Sequence, residues 1–109
     1  MRQIEVNMLK CVRNSCAKTL GNTRVFITRG CDGAVTLFGN TIAHFDGDLF
    51  ITVCDGGWRT ATTKSRLNAL LNTTGYRILQ RKDEWRLFYM GQDRGPFMNN
   101  MTFYIGSGE

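Results

Sequence analysis

No stretch of this chain approaches the roughly 18 consecutive apolar residues that a membrane-spanning helix needs. Nor does an apolar region follow the charged start, Met1-Arg2-Gln3-Ile4-Glu5-Val6-Asn7, so no secretory signal is expected and a cytoplasmic location is the default. Close cysteine spacing is missing too. Cys11 and Cys16 lie five apart, and Cys31 and Cys54 are scattered, whereas structural zinc sites use pairs such as C-x-x-C. No metal or cofactor is therefore expected, and in a reducing compartment the thiols read as free and mostly buried. A nucleotide-binding P-loop needs glycine directly before its Lys-Ser pair and again five residues earlier. Thr63 and Trp58 hold those positions here, which argues against a nucleoside-triphosphate site at Lys64-Ser65.

What is present fits one domain of 109 residues with one modest core. Net charge is +5, which favours a polyanionic partner through electrostatic steering. Residues 1–22 carry two patterns at once. Ile4, Met8, Val12, Cys16 and Leu20 recur every four residues like a helix face, while Ile4, Val6 and Met8 alternate like a strand. The segment is expected to be an N-terminal arm or helix, set apart from a domain over 23–105, with 106–109 a frayed tail.

From Arg24 the chain reads as a meander. Val25-Phe26-Ile27-Thr28, Val35-Thr36-Leu37-Phe38, Thr41 to Phe45 and Leu49 to Val53 are strand-like, with turns at Gly30–Gly33, Gly39-Asn40 and Asp46-Gly47. Pairing across those turns puts Val35, Leu37, Ile42, His44, Leu49, Ile51 and Val53 on a core face. Cys54 would continue the opposite face with Phe50 and Thr52. A Cys54–His44 hydrogen bond is then excluded, and Asp46 and Asp48 read as turn formers, so no enzyme is expected.

Gly56-Gly57 breaks the strand, and Trp58 is expected to anchor the turn against the core. Thr62 or Thr63 would cap a short helix. Its stripe is Leu67, Leu70 and Leu71, flanked by Lys64 and Arg66, with Ser65, Asn68 and Ala69 pointing outward. Tyr76–Gln80 and Trp85–Tyr89 make a last hairpin. With Lys82-Asp83 as its loop, Tyr76, Ile78, Gln80, Trp85, Leu87 and Tyr89 share the core face. Arg77, Leu79, Arg81, Glu84, Arg86 and Phe88 share the reverse face. Arginine beside an aromatic suits phosphate contact with base stacking, and equally a protein interface. In the apolar tail, a strand at Thr102–Ile105 would pair with the sheet edge or with a second copy of the chain, a route to a homo-oligomer.

The segment Leu37-Phe38-Gly39-Asn40-Thr41-Ile42-Ala43, then Gly57-Trp58, then Thr62-Thr63-Lys64-Ser65-Arg66-Leu67-Asn68-Ala69-Leu70, resembles small proteins encoded by tailed bacteriophages. They share an L-x-G-N-x-I-A strand-turn-strand, a G-W turn and a T-T-K-x-R-L-N-A-L helix. The resemblance implies a phage origin and a host cytoplasm, without a mechanism. The expectation is a single α+β domain: a twisted antiparallel sheet of about six strands, as meander, helix and hairpin, with one short helix packed on it. Its expected role is that of a non-catalytic accessory protein binding nucleic acid or a nucleoprotein complex. Arg59, Lys64, Arg66, Arg77, Arg81 and Arg86 would contact phosphates, and Phe88 would stack. The alternative is a protein-binding inhibitor of a host enzyme or defence system, such as an anti-CRISPR protein.

Overall fold

In the computed structural model, which describes residues 1–27, 32–47 and 49–105, two antiparallel sheets and two helices make one α+β domain. The helices are α1 (Gln3–Arg13) and α2 (Ala61–Leu70). The strands are β1 (Ala17–Leu20), β2 (Thr23–Ile27), β3 (Gly33–Leu37), β4 (Asn40–Asp46), β5 (Phe50–Val53), β6 (Tyr76–Arg81), β7 (Glu84–Tyr89), β8 (Gln92–Pro96) and β9 (Met101–Tyr104). The first sheet runs β1-β2-β3-β4-β5-β9 and the second β6-β7-β8. The antiparallel α+β class is as the sequence suggested, with two helices and nine strands among the described residues in place of one helix and about six.

Residues 1–22 supply α1 and the edge strand β1. The helical reading wins over the alternation as far as Arg13, where α1 buries Glu5, Met8 and Cys11, but Cys16 and Leu20, the last two of the four-residue series, lie beyond it, just before and within β1. The missed strand β8 is an exposed edge with no apolar alternation, joined to β7 by the tight Met90-Gly91 turn, with Met90 at φ 50° and Gly91 at φ 85°. The tail strand β9 takes the sheet edge, pairing with β5 from Phe50↔Tyr104 to Val53↔Met101. Phe103 on β9 meets Tyr76 on β6 with ring centroids 4.7 Å apart, and so joins the two sheets.

Register in the meander differs from expectation at both of its described turns. The β3–β4 loop is Phe38-Gly39, because Leu37 pairs with Asn40. Ile42 then bulges between the pairs Thr36↔Thr41 and Val35↔Ala43. The β4–β5 loop spans 47–49, one residue longer than an Asp46-Gly47 turn allows, since Asp46 pairs with Phe50. A one-residue slip moves every side chain to the other face. Ala43 and Phe45 are therefore buried beside Val35, Ile51 and Val53, while His44 pairs with Ala34 and Thr52 and is exposed. The expected Gly30–Gly33 turn and Asp48 lie largely or wholly outside the described residues, as do the residues of the expected frayed tail.

Helix α2 starts two or three residues earlier than expected: Thr60, and not Thr62 or Thr63, is its N-cap, and the Thr60 hydroxyl accepts the Thr63 N–H at 3.1 Å. Leu67, Leu70 and Leu71 are buried as the stripe predicts. The rest of the helix is also engaged, because α1, β4 and the second sheet pack around it. Asn68, expected outward, donates to the Ile78 carbonyl at 2.9 Å and accepts the Ile78 N–H at 2.7 Å. Its side-chain amide thus pairs the edge of β6 as another strand would. Ala69 is buried, and Ser65 turns inward to hydrogen-bond Glu5.

Candidate functional site

Three of the six cations expected to meet phosphate are occupied within the protein. Arg66 is buried between the helices: its guanidinium donates to Glu5 at 2.8 Å, to the Thr23 hydroxyl at 3.0 Å and to Asn22 at 3.4 Å. Burial pushes the Glu5 carboxyl up, but hydrogen bonds from Ser65, Arg66 and the Arg2 N–H outweigh it and hold the group below its ordinary value. Arg59 lies over Trp85 at 5.3 Å and Phe97 at 5.5 Å, binds Asp55 at 3.1 Å and donates to the Phe97 carbonyl at 3.2 Å. It pins the connection before α2 onto the second sheet. Arg86 bridges Glu84 at 2.7 Å and Asp93 at 2.8 Å. The Arg86 hydrogen bond lowers Asp93 from its ordinary value, and Arg81 adds to the effect.

The other cations are placed differently. The β6–β7 register is the expected one, with Lys82-Asp83 as loop and Arg77 opposite Phe88. Ile78, Trp85 and Leu87 are buried on one face, leaving Arg77, Arg81 and Phe88 on the other, where the Arg81 guanidinium sits 5.4 Å from the Phe88 ring centre. Arg77 and Arg81 form no ion pair among the described residues. Lys64 is on α2, where it donates to Gln80 at 3.5 Å. Arg77, Arg81, Arg86 and Phe88 thus share one face, whereas Arg59, Lys64 and Arg66 do not join it.

A different feature emerges at the β3–β4 loop. Phe38 and Trp58 are 72% and 70% exposed, and both line one cleft of about 220 Å³. Its walls include Leu37, Ile42 and Gly56, with Thr60 and Thr63 from the start of α2. Gly56 is at φ +67°, and a Cβ there would come within 3.1 Å of Ile42 and 3.3 Å of Asn40, so glycine lets the connection close against β4. Asp55 is the charged residue in the lining. Burial raises its carboxyl, but the Gly57 N–H, then Arg59 and Asn99, leave it below the ordinary value. Trp58 therefore faces outward and does not anchor the turn; Arg59, the next residue, does that. Sequence reasoning missed the pair because placing the turn at Gly39-Asn40 left Phe38 inside a strand. Phe-Gly as the loop dipeptide is the signal that puts the ring at a hairpin tip.

With His44 on the outer face, the face argument against a Cys54–His44 pair no longer applies. Cys54 instead donates its S–H to the Thr41 carbonyl at 3.1 Å. Cys11 and Cys16 are paired as a disulfide, correcting the expectation of free thiols at those two positions, and Cys31 lies outside the described residues. No cluster of three or more metal-ligating side chains occurs among the described residues, and no described helix is long and apolar enough to cross a membrane.

Fold and surface together define a small α+β domain that projects two aromatic side chains around an apolar cleft, with a separate arginine-bearing face on its second sheet. The sequence model of the Kyanoviridae Gp96 protein family matches residues 1–105, and the chain belongs to that family of phage proteins. Neither curated proteins nor solved structures give a match.

Proposed function

We propose that this phage protein is a non-catalytic accessory factor that binds a protein partner in the cytoplasm of the infected host, using the Phe38–Trp58 cleft. The observation that carries the reading is the exposure of both rings at the rim of one apolar cleft. Leaving such side chains in water forgoes about 1.5–3 kcal/mol of burial each. Phe38 also sits at φ +51°, where a bulky L-residue costs about 1 kcal/mol. Folding alone gives no reason for either choice, whereas a partner that buries both rings recovers the cost, and aromatic residues dominate protein interfaces. The cleft lining carries no Lys or Arg, and its one charged residue, Asp55, is already neutralised by Arg59 at 3.1 Å, so nothing in the lining recruits a phosphate backbone. Blocking a host enzyme or defence complex, as an anti-CRISPR protein does, is one form such binding would take. The test is a pull-down from nuclease-treated host lysate with the wild-type chain and Trp58→Ala. Retention of a partner by the first and its loss by the second supports the reading, and equal retention by both defeats it.

A second reading rests on Arg77, Arg81 and Phe88, which share the open face of the second sheet and suit single-stranded nucleic acid. Neutralisation of Arg86 by Glu84 and Asp93 weakens that face. Two remaining guanidinium groups predict a shallow salt dependence, with a log–log slope of about −1 to −2. No binding to single-stranded polynucleotide at low salt would remove this reading.

A further inference from the structure

Cys11 closes the last turns of α1 and is buried, at 3% exposure, whereas Cys16 lies just before β1 and is half-buried. Their Cα atoms are 5.4 Å apart, within the span a disulfide bridges without backbone movement. The backbone already holds them in register, since the Cys16 N–H donates to the Cys11 carbonyl at 3.2 Å. Both line an open cleft of about 290 Å³ together with Asn7, Lys10, Asn14 and Lys18. The charged residues of that lining are both lysines. Cationic neighbours favour thiolate over thiol and attract anionic reactants.

We propose that Cys11 and Cys16 form a redox-active pair that exchanges with a low-molecular-weight anionic disulfide of the glutathione type. In the dithiol form, the Cys16 thiolate, the more accessible of the two, attacks one sulfur of the incoming disulfide. A mixed disulfide forms on Cys16 and one small thiolate leaves. The Cys11 thiolate then attacks the Cys16 sulfur, closing the Cys11–Cys16 bond and expelling the second small thiolate. Two electrons pass from the cysteine pair to the small disulfide, and the two protons of the original thiols end on the two small thiols released. The reverse sequence reduces the pair. Lys10 and Lys18 hold the anionic reactant at the cleft, and the site is independent of the Phe38–Trp58 cleft.

The test uses the full chain carrying Cys31→Ser and Cys54→Ser, equilibrated against mixtures of reduced and oxidised glutathione, then acid-quenched, alkylated and weighed by mass spectrometry. The expected result is joint conversion of both thiols, in protein that stays folded by circular dichroism. Cys11→Ala added to this background should trap glutathione on Cys16. Lys10→Gln with Lys18→Gln should slow reaction with oxidised glutathione roughly 3–10-fold, while reaction with the neutral bis(2-hydroxyethyl) disulfide is unchanged. Failure to oxidise at every ratio, oxidation only after unfolding, or equal slowing toward both disulfides would overturn the proposal.

Discussion

Arg66 of α2 and Glu5 of α1 are joined at 2.8 Å, sixty-one residues apart in sequence, with both side chains 3% exposed. Ser65 also reaches Glu5, and Thr23 and Asn22 accept from Arg66, so the pair ties both helices to the first sheet. Desolvating two charges is costly, and such a pair is held because its remaining hydrogen bonds are met. Removing one partner leaves the other charge buried and unpaired. Glu5→Ala or Arg66→Ala should therefore lower unfolding free energy by about 3–5 kcal/mol in denaturant titrations. Replacing both by apolar residues, as Glu5→Leu with Arg66→Met, should cost much less than either single change.

The Glu5–Arg66 cluster and the separate Asp55–Arg59 pair together set an acid limb of stability. The folded-state carboxyls of Glu5 and Asp55 are both lowered. Their contribution is therefore fully present above their unfolded values, about 4.3 for Glu and 3.9 for Asp, and is lost as pH falls through the lower folded values. Melting temperature should be flat near neutrality and fall below about pH 4. Glu5→Gln should start lower at pH 7 and show a smaller further loss on acidification.

Phe38 offers a test in which stability and binding move in opposite directions. A two-residue hairpin loop with positive φ at both positions favours Asn-Gly, and Phe38-Gly39 occupies that conformation at +51° and +81°. Phe38→Asn should raise stability by about 0.5–1 kcal/mol while weakening the partner complex. Met90→Asn, in the equivalent Met90-Gly91 turn, should stabilise to a similar extent and leave binding alone. Loss of stability in Phe38→Asn would mean that the ring serves the fold.

Much of the architecture can be read from the residues, and the limits have physical causes. The β6–β7 hairpin follows from alternation and a two-residue loop, and its register is as expected down to Arg77 opposite Phe88. The leucine stripe of α2 is likewise plain. What local pattern does not encode is the bulge at Ile42 or the length of the 47–49 loop, and each changes which face a residue joins. His44 moved outward for that reason. Arg66 is the sharper case: a lone arginine beside a leucine stripe reads as a surface cation, and only the long-range meeting with Glu5 turns it into an interior group. The exposure of Trp58 escaped for the converse reason, because Arg59 had already filled the space between Trp85 and Phe97.

The most direct measurement is retention of a host protein on the immobilised full chain after nuclease treatment, compared with Trp58→Ala and with Arg77→Ala/Arg81→Ala. Binding through the aromatic cleft predicts a partner that survives nuclease, persists in the arginine variant and is lost with Trp58→Ala. A partner that disappears with nuclease, or that Trp58→Ala retains undiminished, would contradict it.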